Sequence, residues 1–226
     1  MIRLQGDTVW PLVPFERSML DDDLPGSPMT FTAAWRIEGP LDPGRLAAAF
    51  DAALGSHPLL AARWAETHLV LPGPRIDIGL AVDTAGGLVV PVVRDVAAAS
   101  LAEVARQTRT LIDRARAGRL SAADMQGGVF TLTTLGSYGV EFFTPVINYP
   151  EAAILGVGAI RLQPVPAAGR DGFTLQRQLP LSLTFDHRIV DGAPAARFLG
   201  DLVTTIAAHE STAGAPSRSD SGERRP

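Results

Sequence analysis

Between Leu179 and Phe185 every second residue is large and apolar: Leu179, Leu181, Leu183 and Phe185 alternate with Pro180, Ser182 and Thr184. A period of two sends one set of side chains to one face of a strand, so this stretch needs a sheet with a buried face, and the rest of the chain must supply its neighbours. Ile76 to Val82 alternates Ile76, Ile78, Leu80 and Val82 with Asp77, Gly79 and Ala81. Leu88 to Val93 resumes β-branched character after a turn at Gly86 and Gly87, which predicts two strands joined by that turn. Val129 to Leu135, after Gly127 and Gly128, and Ala153 to Val157 add two more candidates. The expected sheet has at least five members.

Three stretches carry the helical period instead. Leu41 to Ala53 places Leu46, Ala49, Phe50 and Ala53 on one stripe, with Gly55 and Pro58 as stop signals. Ser100 and Glu103 have capping-box spacing, and Leu101, Val104, Thr108, Leu111, Ile112 and Ala115 follow at helical intervals until Gly118. Pro194 to His209 reads as a helix with Pro in its first turn and Ala195, Phe198, Leu199, Leu202 and Ile206 on one face. Strands interleaved with few long helices predict an α/β chain whose mixed sheet is covered by helices on one side. At 226 residues and 46% hydrophobic content, one domain over 1–210 is the economical reading. Ser211 to Pro226 contains no large aliphatic or aromatic residue, so a disordered polar tail is expected there.

Composition removes several chemistries. The chain has no Cys and no Lys, and all 20 of its basic side chains other than His are Arg. Without Cys there is no disulfide, thiolate nucleophile or Cys-bound metal, and none of the motifs points to a metal. Without Lys there is no Schiff base and no Walker-type phosphate loop. A net charge of −4 gives no basic face for nucleic acid or an acidic membrane. Residues 1–10 lack the pattern of a signal peptide, and the longest apolar runs fall far short of the roughly 18 residues of a membrane span. The expectation is a soluble, cytoplasmic protein.

Of the four His, His187 has the telling context. In LSLTFDHRIVDG it leaves the alternating strand and enters a short loop ending in Asp191 and Gly192, directly before a helix. A strand fixes the backbone there and a loop exposes the side chain, as a general base requires. The same spacing also fits a structural histidine with Asp191 as a helix cap.

Residues 76–198 resemble the catalytic domain of the dihydrolipoamide acyltransferases, the E2 components of 2-oxoacid dehydrogenase complexes, in the chloramphenicol acetyltransferase-like superfamily. The resemblance is carried in order by IDIGLAVDTAGGLVVPVVRDV, SLAEVARQTRTLIDRARAGRLSAADMQGGVFTLTTLGSYGV, FFTPVINYPEAAILGVGAI and LPLSLTFDHRIVDGAPAARF. It implies a two-layer sandwich with helices packed on one side of a mixed sheet. It also implies a mechanism: His187 removes the proton of an acceptor thiol or hydroxyl, which attacks the thioester of acetyl-CoA directly. Thr133 in FTLTTLG matches the hydroxyl that hydrogen-bonds the oxyanion. Asp191 takes a structural role, pairing with an Arg that shapes the loop; Arg17 in PFERSM is the candidate, with Arg188 and Arg197 nearer in sequence, and Gly192 supports the site. The family's active sites lie at the interface of a homotrimer, in a channel reached by coenzyme A from one end and the acceptor from the other.

The chain also departs from the family. Residues 1–70 look more like the opening of a peptide-synthetase condensation domain; Thr134 and Tyr149 stand where Asn and Pro are usual. His57 in GSHPLL is read as a helix-terminal structural residue. Tyr138, Phe142, Phe143 and Tyr149 are candidates to line an acceptor channel, or core packing. Because Met1 is followed almost at once by the domain, no lipoyl or subunit-binding segment is expected before it, and the polar C-terminal tail leads to the expectation of an isolated trimer rather than a large shell. These features favour a stand-alone acetyltransferase acting on a hydroxyl of a small biosynthetic intermediate, as in tetronate antibiotic pathways. The alternatives are a dihydrolipoyl acyltransferase core served by a lipoyl domain in trans, and an inactive scaffold. With no Lys, any side-chain cation on the coenzyme's phosphates must be Arg.

Overall fold

The structure, a computed structural model, describes residues 30–38, 49, 52–65, 67–167 and 172–211. In chain order its strands are β1 (Thr30–Glu38), β2 (Arg63–Ala65), β3 (His68–Val70), β4 (Ile78–Leu80), β5 (Val82–Thr84), β6 (Gly87–Val89), β7 (Val92–Val93), β8 (Phe130–Thr134), β9 (Ala153–Val157), β10 (Arg161–Pro166) and β11 (Phe173–Asp186). Its two long helices are α1 (Leu101–Arg116) and α2 (Gly192–Ser211). Seven strands form one mixed sheet in the order β1-β11-β9-β8-β4-β7, with β10 paired to the outer half of β11. Small hairpins β2-β3 and β5-β6 lie outside it.

The alternating run from Leu179 to Phe185 lies in β11, the longest strand. Leu179, Leu181, Leu183 and Phe185 are buried in one core with Phe130, Leu155, Phe198, Leu199 and Leu202. The Phe130 ring packs 6.0 Å from that of Phe198 on α2, so the helices cover this face. Thr131 and Thr133, one residue out of phase, point to the opposite face. The pairing β11 to β9 to β8 sets Ser182, Gly156 and Thr133 side by side in one row, and paired residues share a face.

Several elements differ from expectation for identifiable reasons. The anticipated strand over 76–82 is two short ones parted at Ala81, and that over 88–93 is parted at Val90 and Pro91, because the β5-β6 hairpin turns away from the main sheet. Helix α1 begins where Ser100 accepts from the Glu103 amide at 3.3 Å, but the Glu103 carboxylate turns to Arg106 and Gln107 rather than back to the cap. The reciprocal box forms instead at Ser121 and Asp124. Helix α2 starts at Gly192, two residues before Pro194, whose missing N–H costs nothing in a first turn. Residues 49 and 52–56 are helical, while the rest of the helix expected at 41–53 lies outside the described residues. The same holds for the tail from 212 onward; Ser211 ends α2.

Candidate functional site

The loop of His187 is built on Asp186. The Asp186 amide donates to the Ala152 carbonyl at 2.8 Å, and the Asp186 carbonyl accepts from the Ile189 and Val190 amides at 2.9 and 3.0 Å, so the chain turns back as soon as the strand ends. The buried Asp186 carboxylate accepts from the Arg188 amide at 3.0 Å and from its guanidinium at 3.0 and 2.6 Å. That guanidinium stacks 5.0 Å above the Trp64 ring on β2. Both neighbours of His187 are thereby held. Its imidazole is 18% exposed, 5.8 Å from the Phe185 ring, with Nδ1 3.8 Å from Asp191 Oδ1.

That separation exceeds a hydrogen bond, and Asp191 is exposed. Arg188, weighed as a partner for Asp191, pairs with Asp186 instead. Arg17 lies outside the described residues. At Gly192 an added Cβ would meet no atom within 4 Å, so nothing among the described residues demands glycine there.

Three threonines on β8 divide the work. Thr131 Oγ1 donates to Glu151 at 2.6 Å, and Thr134 Oγ1 donates to the Val157 carbonyl at 2.9 Å while accepting from the Gly136 amide. The half-buried Thr133 hydroxyl has no hydrogen-bond partner among the described residues and remains available to a ligand. Thr134, at the position where the family usually has Asn, is thus a turn cap on the other face.

His187 and Thr133 are not brought together within this chain. Thr133 is level with Ser182, and His187, the first residue after β11, lies five residues beyond Ser182. At roughly 3.3 Å per residue that is about 16 Å along the strands, with two strand spacings of about 4.8 Å across.

The four aromatics separate as well. Phe143 is half-buried and lies over Gly156, where an added Cβ would sit 2.9 Å from its ring, beside Thr133. Phe142 and Tyr149 are exposed, and Tyr138, also exposed, donates to Asp83 at 3.2 Å. His57 is structural as read: it pairs with Asp201 of α2 at 2.7 Å and meets Phe198 edge-on.

Sequence reasoning missed two groups. One is the Asp186–Arg188–Trp64 brace, whose signal was a charged residue closing an otherwise buried strand. The other is Glu151, 6% exposed, bonded to Thr131 and Asn148. Burial pushes its carboxyl up to about 7, against hydrogen bonds from Thr131 and Asn148 and the charge of Arg63. Among the described residues no cluster of His, Asp or Glu could hold a metal ion, and no helix is long and apolar enough to cross a membrane.

Residues 45–213 match the family described as 2-oxoacid dehydrogenases acyltransferase (catalytic domain). The dihydrolipoyllysine-residue acetyltransferase component of the acetoin cleaving system of Bacillus subtilis is 44% identical over 156 residues, 68% of this chain and 38% of that protein. The corresponding component of the Pseudomonas aeruginosa pyruvate dehydrogenase complex is 49% identical over 136 residues, 58% of this chain and 24% of that one. The chain thus spans well under half the length of these relatives. The dihydrolipoamide acetyltransferase of Azotobacter vinelandii superposes with a TM-score of 0.75 at 30% identity, covering 91% of this chain and 94% of that one. With its mixed sheet helix-covered on one face and its family match over three quarters of its length, this chain belongs to the 2-oxoacid dehydrogenase acyltransferase catalytic-domain family.

Proposed function

We propose that this chain is one acyltransferase domain, over 1–210, that moves an acetyl group between coenzyme A and a thiol of a dihydrolipoyl group. The observation that carries this reading is the pair of a rigidly held, partly exposed His187 and an unpartnered Thr133 hydroxyl. In the Azotobacter vinelandii enzyme a serine, a histidine and an asparagine have roles in catalysis, the asparagine standing as far from its histidine as Asp191 stands from His187. Thr133 keeps the serine's hydroxyl, and Asp191 replaces the amide by a carboxylate.

In the forward step His187 takes the thiol proton as the sulfur attacks the thioester carbonyl carbon of acetyl-CoA. Thr133 donates a hydrogen bond to the tetrahedral oxyanion. Collapse breaks the carbon–sulfur bond to coenzyme A, whose thiolate recovers the proton from the imidazolium. No group on the enzyme is acylated, which suits a chain without Cys or Lys. The lipoyl group has no Lys to occupy on this sequence and must be attached elsewhere.

The separation of His187 from Thr133 supports a site shared between subunits of a homotrimer, each contributing one of the two. A cytoplasmic setting, where acetyl-CoA is available, completes the proposal. A second reading is favoured by the exposed Phe142 and Tyr149, the latter at a position where the family usually has Pro: transfer to the hydroxyl of a small biosynthetic intermediate such as a tetronate.

The test offers acetyl-CoA with dihydrolipoamide, with an acyl tetronate alcohol or with no acceptor, and separates acetylated products by chromatography. Thioester formed with the dithiol and abolished by His187→Ala supports the proposal. Turnover with the alcohol alone transfers support to the second reading, and turnover with neither leaves a scaffold.

A further inference from the structure

The cluster of Thr131, Asn148 and Glu151 takes no part in the chemistry above, yet it is a fitted joint. Thr131 Oγ1 donates to Glu151 Oε2 at 2.6 Å, and Asn148 Nδ2 donates to Glu151 Oε1 at 3.3 Å and reaches Thr131 Oγ1 at 3.4 Å. Two glycines make the room. A Cβ on Gly128 would lie 3.0 Å from Glu151 Oε1, and one on Gly79 would lie 2.8 Å from Thr131 Oγ1.

What the joint connects is informative. Thr131 is two residues before Thr133 on the same face of β8. Asn148 and Glu151 close the segment that carries Phe143 across that face. Phe143 to Ile147 make no backbone hydrogen bond among the described residues. Upstream the segment is tied by the Ala159 amide donating to the Val140 carbonyl at 2.8 Å. Downstream it is tied by the Trp64 amide donating to the Pro150 carbonyl at 2.8 Å and by the cluster. The Phe143 ring in turn fills the gap that Gly156 leaves beside Thr133.

We infer that Glu151 is a positioning residue for the acceptor: by clamping Asn148 to Thr131 it fixes the segment whose Phe143 walls the Thr133 end of the site. An aromatic wall suits an apolar acceptor rather than the phosphate-bearing coenzyme, so the clamp acts on the acceptor side. A wall displaced by an ångström degrades binding geometry without removing any catalytic group. The inference rests on the acyl-transfer reading.

The test compares Glu151→Ala and Glu151→Gln with wild type in the purified native assembly, measuring kcat and KM for dihydrolipoamide and acetyl-CoA. Amide hydrogen exchange over 140–151 is followed in parallel. Glu151→Ala is expected to raise the dihydrolipoamide KM about tenfold, to leave the acetyl-CoA KM within about twofold, and to speed exchange at 143–149. Glu151→Gln, which preserves shape, keeps its carbonyl as acceptor for Asn148 and offers its amide to the Thr131 hydroxyl turned to accept, restores both readouts. An unchanged acceptor KM in folded Glu151→Ala, or a Gln variant as impaired as Ala, overturns the inference. Should Glu151→Ala not fold, Asn148→Ala takes its place with the same expected KM and exchange changes. If wild type transfers to no acceptor, the transfer reading fails by itself and exchange decides the clamp: faster at 143–149 in Ala but not in Gln upholds it, unchanged exchange overturns it.

Discussion

Two of the three buried carboxylates among the described residues, Asp77 and Asp186, are matched by arginine, the only strongly basic residue type the chain contains, and the guanidinium fork suits them. Asp77, 5% exposed, accepts from Arg75 at 2.7 and 3.0 Å, from Arg94 at 3.1 Å and from the Asp95 amide at 2.7 Å. Burial pushes the Asp77 carboxyl up, but the hydrogen bonds from Arg75, the Asp95 amide and Arg94 more than reverse this and hold it below the ordinary value. A depressed folded value contributes stability above the unfolded value, near 3.9, that is lost as pH falls through the folded one. Asp77→Asn should therefore be less stable than wild type at pH 7, on the order of 2 kcal/mol, with the gap closing below about pH 4 in urea unfolding. Glu151 has the opposite sign: its raised value makes it a stabilising group below the unfolded value that is lost as pH rises through about 7, with Arg63, Thr131 and Asn148 as its neighbours. Glu151→Gln should gain on wild type between pH 5 and 8 in the same measurement, by as much as ~3 kcal/mol. For Thr133, removal of the hydroxyl in Thr133→Val should lower kcat by about 10²–10³ with melting temperature little changed, and Thr133→Ser should retain most of the rate.

At the scale of elements, local rules carried far where burial obeyed one period. Leu179 to Phe185, Ala153 to Val157 and helix α1 appear where their spacing put them. Ser100→Ala should cost α1 about 1 kcal/mol, read as a lower denaturation midpoint, because the Glu103 amide loses its acceptor. Of the strands that escaped notice, β1 does alternate, with Phe31, Ala33, Trp35 and Ile37 at every second position, whereas β2 and β10 lack a clean period. β10 carries Pro164 and Pro166 and pairs only with β11, an edge position that tolerates missing donors. β2 has three half-buried residues and no alternation, yet its Trp64 seats Arg188 and thereby the loop of His187. Gly156 and Gly158 mark where the 140–151 segment lies against β9 and its exit. A side chain on Gly158 would collide with the Glu141 carbonyl and one on Gly156 with Phe143, so Gly158→Ala, meeting backbone, should be the more destabilising of the two.

For the whole molecule, the register of β8, β9 and β11 holds His187 and Thr133 apart, so the proposed mechanism requires two copies of the chain to oppose them. Light scattering should report a trimer. Mixing His187→Ala with Thr133→Ala subunits should then restore about a quarter of wild-type activity, since a random trimer pairs the intact His of one chain with the intact Thr of its neighbour at one interface in four. A site contained in one chain would give none. The sequence by itself determined the periodic strands, the long helices, the chemistry excluded by the missing Cys and Lys, and the family-matched His187 and Thr133, because each rests on residue type or on spacing along one element. Only the tertiary structure decided that Arg188 serves Asp186 rather than Asp191, that Thr131 and Thr134 are engaged while Thr133 is not, and that Glu151 joins β8 to the Phe143 segment. Arg188 and Asp186 are two residues apart, but the Trp64 that seats the guanidinium and the partners of Thr131 and Thr134 come from distant parts of the chain, and which of these become neighbours is settled by closing the sheet over its core, a choice made by the packing of all its members together.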